Sequence, residues 1–404
     1  LAMEGSSFVK FENMVFECSR GMGVYIEGGR NCAIVNSILR NLGIVAICIG
    51  QGTEDLKNYA HEGTAIPAGR RLGSWHEHIY ENTTFNRNGG KNHTILSCDI
   101  YNIGAGRISL GGGDRKTLTP AVNAVINCEI YNFNRLEASY KAGINIDGVG
   151  NRIAHCYIHD CPDAALYLHG NDHVIEYNEI SHAVMYADEH GAFYMGRDQS
   201  EYGNVIRYNW FHDIGVQRGG HGAFILHFDD GACGTHVFGN IFTNNESYAI
   251  RMNGAVSNLI ENNIFFNTRQ DISFGPWNGN RWHNTVRDEL HNKRLREDID
   301  ILKPPYSTKY PELVKLYSAP ADSPRTNLIR NNVTINSNAF KRSRNNKLVN
   351  NIIDDKDPGF VDLQGENYTL SQYSIVFKEI PDFKPIPFQK IGLYNDKSRI
   401  SAKR

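Results

Sequence analysis

Short runs in which apolar and polar residues alternate recur along the whole chain, and two phrases account for most of them. The first reads FENMVF at 11–16, IVNSIL at 34–39, LSCDI at 96–100, INCEI at 126–130, AHCYI at 154–158, EYNEI at 176–180, RYNWF at 207–211, FGNIF at 238–242, ENNIF at 261–265, RNNVT at 330–334 and VNNII at 349–353. Its Asn or Cys serves as a marker, falling on Asn13, Asn36, Cys98, Cys128, Cys156, Asn178, Asn209, Asn240, Asn263, Asn332 and Asn351. Uninterrupted steps between markers run from 19 to 31 residues.

The second phrase sits between copies of the first, as in GINIDG at 143–148, ALYLHG at 165–170, AFYMGR at 192–197, AFILHF at 223–228 and AIRMNG at 249–254. Each alternates with period two and usually ends near Gly, as a short strand followed by a tight turn should. Two or more such strands per repeat, with no helical phrase between them, predict an all-β right-handed parallel β-helix. The marker Asn has a physical use there: stacked in register, side-chain amides bond to one another and to turn backbone groups that would otherwise be buried unpaired.

Residues 1–355 are therefore expected to form the β-helix, broken by insertions at 51–90 and 278–325. The second insertion carries NTVRDELHNKRLREDIDI, of helical composition, and a Pro-punctuated stretch. Insertions in solenoids emerge as loops and commonly wall a binding face. Residues 356–404 leave the repeat and are expected to cap it or pack along it. The first repeat shows no polar cap, so upstream coils or an oligomeric partner are expected to cover it.

Aligning the second phrase separates two faces. Val24, Ile144, Ile146, Leu166, Leu168, Phe193, Met195, Phe224, Leu226, Ile250 and Met252 are expected inward, with Phe224 and Leu226 matched to Phe193 and Met195. Facing outward are Asn145, Asp147, Tyr167, His169, Tyr194, His227, Arg251 and Asn253. A merely solvated sheet would show Thr, Lys, Glu and Ser instead. Tyr rings stack on sugar faces, while Arg, Asn, Asp and His bond hydroxyls or pair with uronic carboxylates, so the expected partner is a poly- or oligosaccharide.

Acidic chemistry concentrates in YADEHGAFYMGRD at 186–198 and, one repeat on, HGAFILHFDDG at 221–231. Asp188 and Asp229 are the candidate acid and base or nucleophile for glycosidic cleavage, which needs one protonated and one charged carboxyl. Glu189 and His227 are further catalytic candidates, and His190, Arg197, His221 and Asp230 are candidates to tune the pair or hold substrate. The sequence register alone does not join Asp188 to Asp229; the turn before Ala192 would have to fold back over the sheet. Asp230 before Gly231 also reads simply as a turn former.

The chain has 404 residues, a formal charge of -2 and 21% charged residues, which leaves no basic footprint for nucleic acid. No apolar run is long enough to span a bilayer, and the opening LAMEGSSFVKF has neither the basic start nor the apolar core of a signal sequence. The eight cysteines form no CxxC or zinc spacing, and several occupy inward positions as small hydrophobes.

The stretches YADEHGAFYMGRDQSEYGNVIRYNWFHDIG at 186–215 and HFDDGACGTHVFGNIF at 227–242 resemble secreted bacterial β-helix proteins acting on complex glycans, most of all glycoside hydrolase family 141, which includes a fucosidase and a xylanase. The resemblance implies a glycoside hydrolase, secreted or held in the periplasm or at the cell surface, whose catalytic aspartates fall on Asp188 and Asp229. No cofactor is implied by hydrolysis. The alternative on the same scaffold is a polysaccharide lyase, with Arg251, Arg197, Tyr194, His227 and His169 available for β-elimination on a uronic-acid polymer and Asp147, Asp188 or Asp229 available to calcium. A non-catalytic glycan-binding solenoid is the third expectation.

Overall fold

The computed structural model describes residues 1–51, 85–136, 138–215, 222–340, 346–397 and 399. The chain divides into two compact units, Leu1–His173 with Leu393–Arg404, and Val174–Gly392. Each is a stack of right-handed parallel coils with three short strands per coil, a right-handed parallel β-helix with loop and helical insertions.

In the first unit one coil runs through Thr94–Leu96, Asp99–Ile103 and Ile108–Leu110, and the next through Ala124–Ile126, Glu129–Tyr131 and Ile144–Ile146. Like strands lie side by side in register, Ile95 beside Val125, Ile100 beside Ile130 and Ile108 beside Ile144. The first sequence phrase thus holds two strands, with the marker at the corner between them. The residue before the marker turns the chain through the left-handed region, as at Asn127 (φ 55°), Tyr208 (φ 57°) and Asn262 (φ 60°). That region disfavours most L-residues and is tolerated best by Asn, which explains why Asn crowds these corners.

The first two markers need correcting by one residue. Asn13 and Asn36 are themselves the left-handed corners, at φ 58° and 44°. The stacking positions there are Met14 and Ser37, and the Met14 N–H donates to Ser37 Oγ at 3.1 Å. Asn36 instead bonds Asn13 on the exposed outside, Nδ2 to Oδ1 at 2.6 Å.

The second unit carries the amide ladder that the repeat predicts. Asn178 donates both its backbone N–H and its Nδ2 to Asn209 Oδ1, each at 2.9 Å. Asn209 does the same to Asn240, Asn240 to Asn263, Asn263 to Asn332 and Asn332 to Asn351. The second proton of each interior amide goes to a strand carbonyl, as from Asn240 to Ile206 O at 2.9 Å. None of these six ladder amides is left wanting, and in the buried interior an unmade bond would cost about 1–3 kcal/mol. In the first unit cysteine thiols take this place, the Cys98 N–H lying 3.4 Å from Cys128 Sγ, and all eight cysteines are free.

Apolar residues fill the coils. Phe211, Phe242 and Phe265 stack through three successive turns at centroid spacings of 5.4 and 4.9 Å. After Gly275 the chain leaves the coil as short helices, Gly279–Thr285, Glu289–Asn292 running into a wide turn Lys293–Asp298, Tyr306–Lys309 and Pro311–Ser318. Asn278 and Asp288 cap the first two by accepting from the Arg281 and His291 N–H groups, each at 2.8 Å. The coil resumes at Asn327, with Leu328 beside Leu259. In the tail, Phe360–Asp362 and Asn367–Leu370 form an antiparallel pair. Phe360, Tyr368, Val376 and Phe388 bury themselves against Ile241, Ile264 and Val333 of the same unit.

Candidate active site

The site grows out of the third strand of each coil in the second unit: Gly191–Gly196, Phe224–Asp229, and the later halves of Ile241–Asn253 and Ile264–Gly275. Inward residues Phe193, Met195, Leu226, Phe228, Ile250 and Met252 are buried in the core. Period two then sends the alternate residues to the other face. There Tyr194, His227, Arg251 and Ser273 lie side by side on four successive strands, and two residues further on Gly196 lies beside Asp229 and Asn253 beside Gly275.

This register corrects the sequence alignment of 223–228. Leu226 and Phe228, not Phe224 and Leu226, lie beside Phe193 and Met195. The slip is two residues, so every side chain keeps its face but moves one row. His227 thereby joins Tyr194, and Asp229 comes into the row of Asn253.

Asp229 closes its strand with four polar neighbours. Tyr194 Oη donates to its Oδ2 at 3.0 Å, Asn253 Nδ2 and the Asp230 N–H donate to its Oδ1 at 2.9 Å each, and His227 Nε2 stands 3.6 Å away. Burial by itself would raise the pKa of this carboxyl, but His227, Asn253 and the other donors together hold it below the usual carboxylate range. It is an ionised group at neutral pH.

Asp230 behaves in the opposite way. Consecutive residues of a strand point to opposite faces, but Asp230 takes a left-handed φ of 37°, which breaks the alternation. Both carboxyls consequently meet one amide: Asn253 Nδ2 also lies 3.2 Å from Asp230 Oδ1. Arg197 Nη2 reaches Asp230 Oδ2 at 3.1 Å. Burial and the charge of Asp229 nevertheless push Asp230 above the usual carboxylate range, against the opposing charges of Arg197, Arg281 and His291.

The surroundings hold these groups in place. Asn253 Oδ1 accepts from Trp277 Nε1 at 3.2 Å, which fixes the amide with its NH2 toward the carboxylates. Trp277 lies flat on the backbone at Gly254, where a Cβ would come within 2.3 Å of the indole. Arg281 stacks on that ring, 4.2 Å from its centroid. Arg251 Nη1 donates to Ser273 Oγ at 2.9 Å. His227 is buried between the Tyr194 and Phe224 rings; burial pushes it down to about 4, with Asp229 opposing, so the imidazole is neutral at pH 7. Its Nδ1 has no hydrogen-bond partner.

Asp188 is not part of this cluster. The Glu189 N–H donates to Gly222 O at 2.9 Å, the Phe224 N–H donates to His190 O at 2.8 Å, and Asp188 Oδ1 accepts from the Gly222 N–H at 2.7 Å. The segment before Ala192 therefore extends the parallel ladder upstream instead of folding back over it. Asp188 and the exposed Glu189 stand at one end of that ladder and Asp229 at the other, separated by roughly 20 Å of extended strand. Asp188 and Asp229 share no hydrogen-bond neighbour among these contacts. His190 lies on the same upstream stretch, and His221 falls outside the described residues.

The candidates of the first unit, Asn145, Asp147, Tyr167 and His169, do lie on the outward side of the third strand, with Asn145 between Ser109 and Tyr167. All four are at most 5% exposed, so they do not form an open sugar-binding face. Arg87 covers Asp147: its buried guanidinium pairs with Asp147 and donates to Ser109 Oγ at 2.9 Å. No group of three or more His, Cys, Asp or Glu side chains placed to hold a metal ion occurs among the described residues.

Arg281 and Arg294 belong to the site without having been singled out; Ser273 was expected on the outward face and Trp277 at one end of the groove. A Trp directly after the last strand was a visible signal; the two arginines lie in the helical insertion, where nothing in the sequence marks their destination.

The family model "Right handed beta helix region" matches residues 79–265. No curated protein matches the chain. Among solved structures, the chain is similar to pectate lyase Pel9A at 12% identity, covering 100% of this chain and 80% of that one with a TM-score of 0.46. It is similar to XylC in complex with xylose at 13% identity, covering 83% and 53% with a TM-score of 0.34. A mutant of the PL6 family alginate lyase AlyGC matches at 10% identity, covering 98% and 56% with a TM-score of 0.42. No helix among the described residues is long and apolar enough to cross a membrane.

Proposed function

We propose that this protein is a carbohydrate-active enzyme of the hydrolase type, cleaving a glycosidic bond of a polysaccharide with Asp229 as the charged carboxylate and Asp230 as the acid. The observation that carries this reading is the pair itself: adjacent carboxyls whose surroundings push their proton affinities apart, which is how acid and base roles are divided at one pH. Asp230 would protonate the leaving oxygen while Asp229 meets the anomeric carbon. Their oxygens share one Asn253 hydrogen-bond donor, which keeps them within about 6 Å and on the retaining side of the two known spacings.

The resemblance to glycoside hydrolase family 141 implies Asp229 in this role together with Asp188; our reading sets Asp230, which shares the Asn253 amide with Asp229, in the second place. A secreted or periplasmic location goes with a polysaccharide substrate.

One observation favours elimination instead. His227 is a neutral imidazole whose Nδ1 has no partner among the described residues, and it lies beside Arg251, so that together they supply a base and a cation for a uronate. Incubation with a panel of neutral and uronic-acid glycans decides between the two. New reducing ends without ultraviolet absorbance from an unsaturated product, lost in both Asp229→Asn and Asp230→Asn, support hydrolysis; unsaturated products sink it.

A further inference from the structure

The turn that presents Arg197 to Asp230 is held from a distant part of the chain. Arg197 is a non-glycine residue in the left-handed region, at φ 68°, immediately after its strand. Behind it, Arg294 of the helical insertion is 5% exposed, and its Nη1 donates to the Arg197 carbonyl at 2.9 Å. Its Nε stands 3.7 Å from Asp198 Oδ2. Asp198 is buried in turn, its Oδ1 accepting from the Ser200 N–H at 2.9 Å and from the Ser200 hydroxyl. The same turn meets Asp230 a second time, Gln199 Nε2 donating to its carbonyl at 3.2 Å.

We infer that Arg294 is a positioning residue: it clamps the 197–199 turn from behind and so delivers the Arg197 guanidinium to Asp230. Arg294 uses two nitrogens of a buried, planar guanidinium on a carbonyl and a carboxylate at once, a geometry that the point charge of a lysine does not fix. Without it, the carbonyl of the left-handed Arg197 loses its Arg294 donor, the turn is freer to relax toward the extended region, and the partly exposed ion pair of Arg197 with Asp230 is weakened. The groups facing Asp230 are then Asp229, which raises its proton affinity, and Arg281 and His291, which lower it less effectively than an added Arg197. The catalytic meaning of the clamp rests on Asp230 serving as the acid; the clamp itself does not.

The test reads the Asp230 carboxyl directly, by pH titration of its side-chain ¹³C signal in the full chain. Arg294→Met is expected to move the Asp230 midpoint to higher pH, as Arg197→Gln does, and the double variant to move it no further than either. Arg294→Lys should restore part of the displacement. An unmoved midpoint in folded Arg294→Met, or displacements that add in the double variant, would overturn the inference. If Arg294→Met does not fold because Asp198 is stranded, Asp198→Asn combined with Arg294→Met carries the same expectation. Turnover is not needed for the readout, so failure to cleave any glycan would sink the hydrolase reading and leave this one standing.

Discussion

Tyr194 donates its hydroxyl to Asp229 across neighbouring coils, 3.0 Å from Oη to Oδ2. The bond favours the charged carboxylate. Removing it in Tyr194→Phe raises the proton affinity of Asp229, and because Asp229 acts in its ionised form, the acid limb of the activity profile moves to higher pH. A hydrogen bond to a charged group of this kind is worth about 1.5 kcal/mol, so kcat/KM should fall roughly tenfold. A pH–rate profile of this variant that superimposes on the parent's would show that Tyr194 does not serve Asp229.

The amide ladder makes a stability prediction. Asn240 accepts two bonds from Asn209 and donates to Ile206 O and Asn263 Oδ1, all in a fully buried setting. Asn240→Leu has a similar volume but leaves the Asn209 donors unmatched, and should destabilise the protein by about 2–4 kcal/mol in denaturant titration. An unchanged midpoint would mean that the ladder is tolerated and not needed.

Asp271 supplies a pH dependence separate from catalysis. It is fully buried, accepting from Thr268 Oγ1 at 2.7 Å and Thr334 Oγ1 at 2.6 Å, and burial pushes it up to about 7 against those hydroxyls. A folded-state value raised above the unfolded one means that the native state binds the extra proton. Stability is then greatest below the ordinary carboxylate range and declines as pH rises from about 4 through about 7, by a few kcal/mol. Thermal melts of Asp271→Asn should lose that slope and exceed the parent in Tm at pH 8; a parallel slope in both would refute the assignment.

Asp147 should prove structural. Asp147→Ala strands the buried Arg87 charge, and about 3–5 kcal/mol of stability should go with it. Arg87→Met combined with Asp147→Leu should recover most of that loss. Denaturant midpoints of the two variants check the pair, and equal losses in both would show that the charge pairing is not what Asp147 contributes.

The alternation in GINIDG or AFYMGR reports which side chains face the core, and there the sequence was a sufficient guide, down to Tyr194, His227, Arg251 and Asn253 on one side. It does not report which residue of one coil lies beside which of the next. A slip of two residues preserves every inward and outward assignment, so nothing in AFILHF could place Leu226 beside Phe193. That slip decides whether Asp229 meets Asn253. Closeness along the chain misled in YADEHGAFYM, where Asp188 sits near the strand in sequence but at its far end in space. In GINIDG, Asp147 faces outward as expected, yet Arg87, arriving from an inserted segment, covers it. Ladders of Asn are legible because each rung repeats; a contact such as Arg294 to Arg197 occurs once and has no echo to find.

The separation of 97 positions between Arg197 and its clamp sets an order of events during synthesis. Coils can stack one after another as they leave the ribosome, since each needs only the preceding rung to settle on. The acidic centre has no such freedom, because Trp277, Arg281 and Arg294 are translated after Asp230. A nascent chain halted before the helical insertion would carry wound coils and an unfinished centre, so competence arrives late, well after the scaffold that bears it.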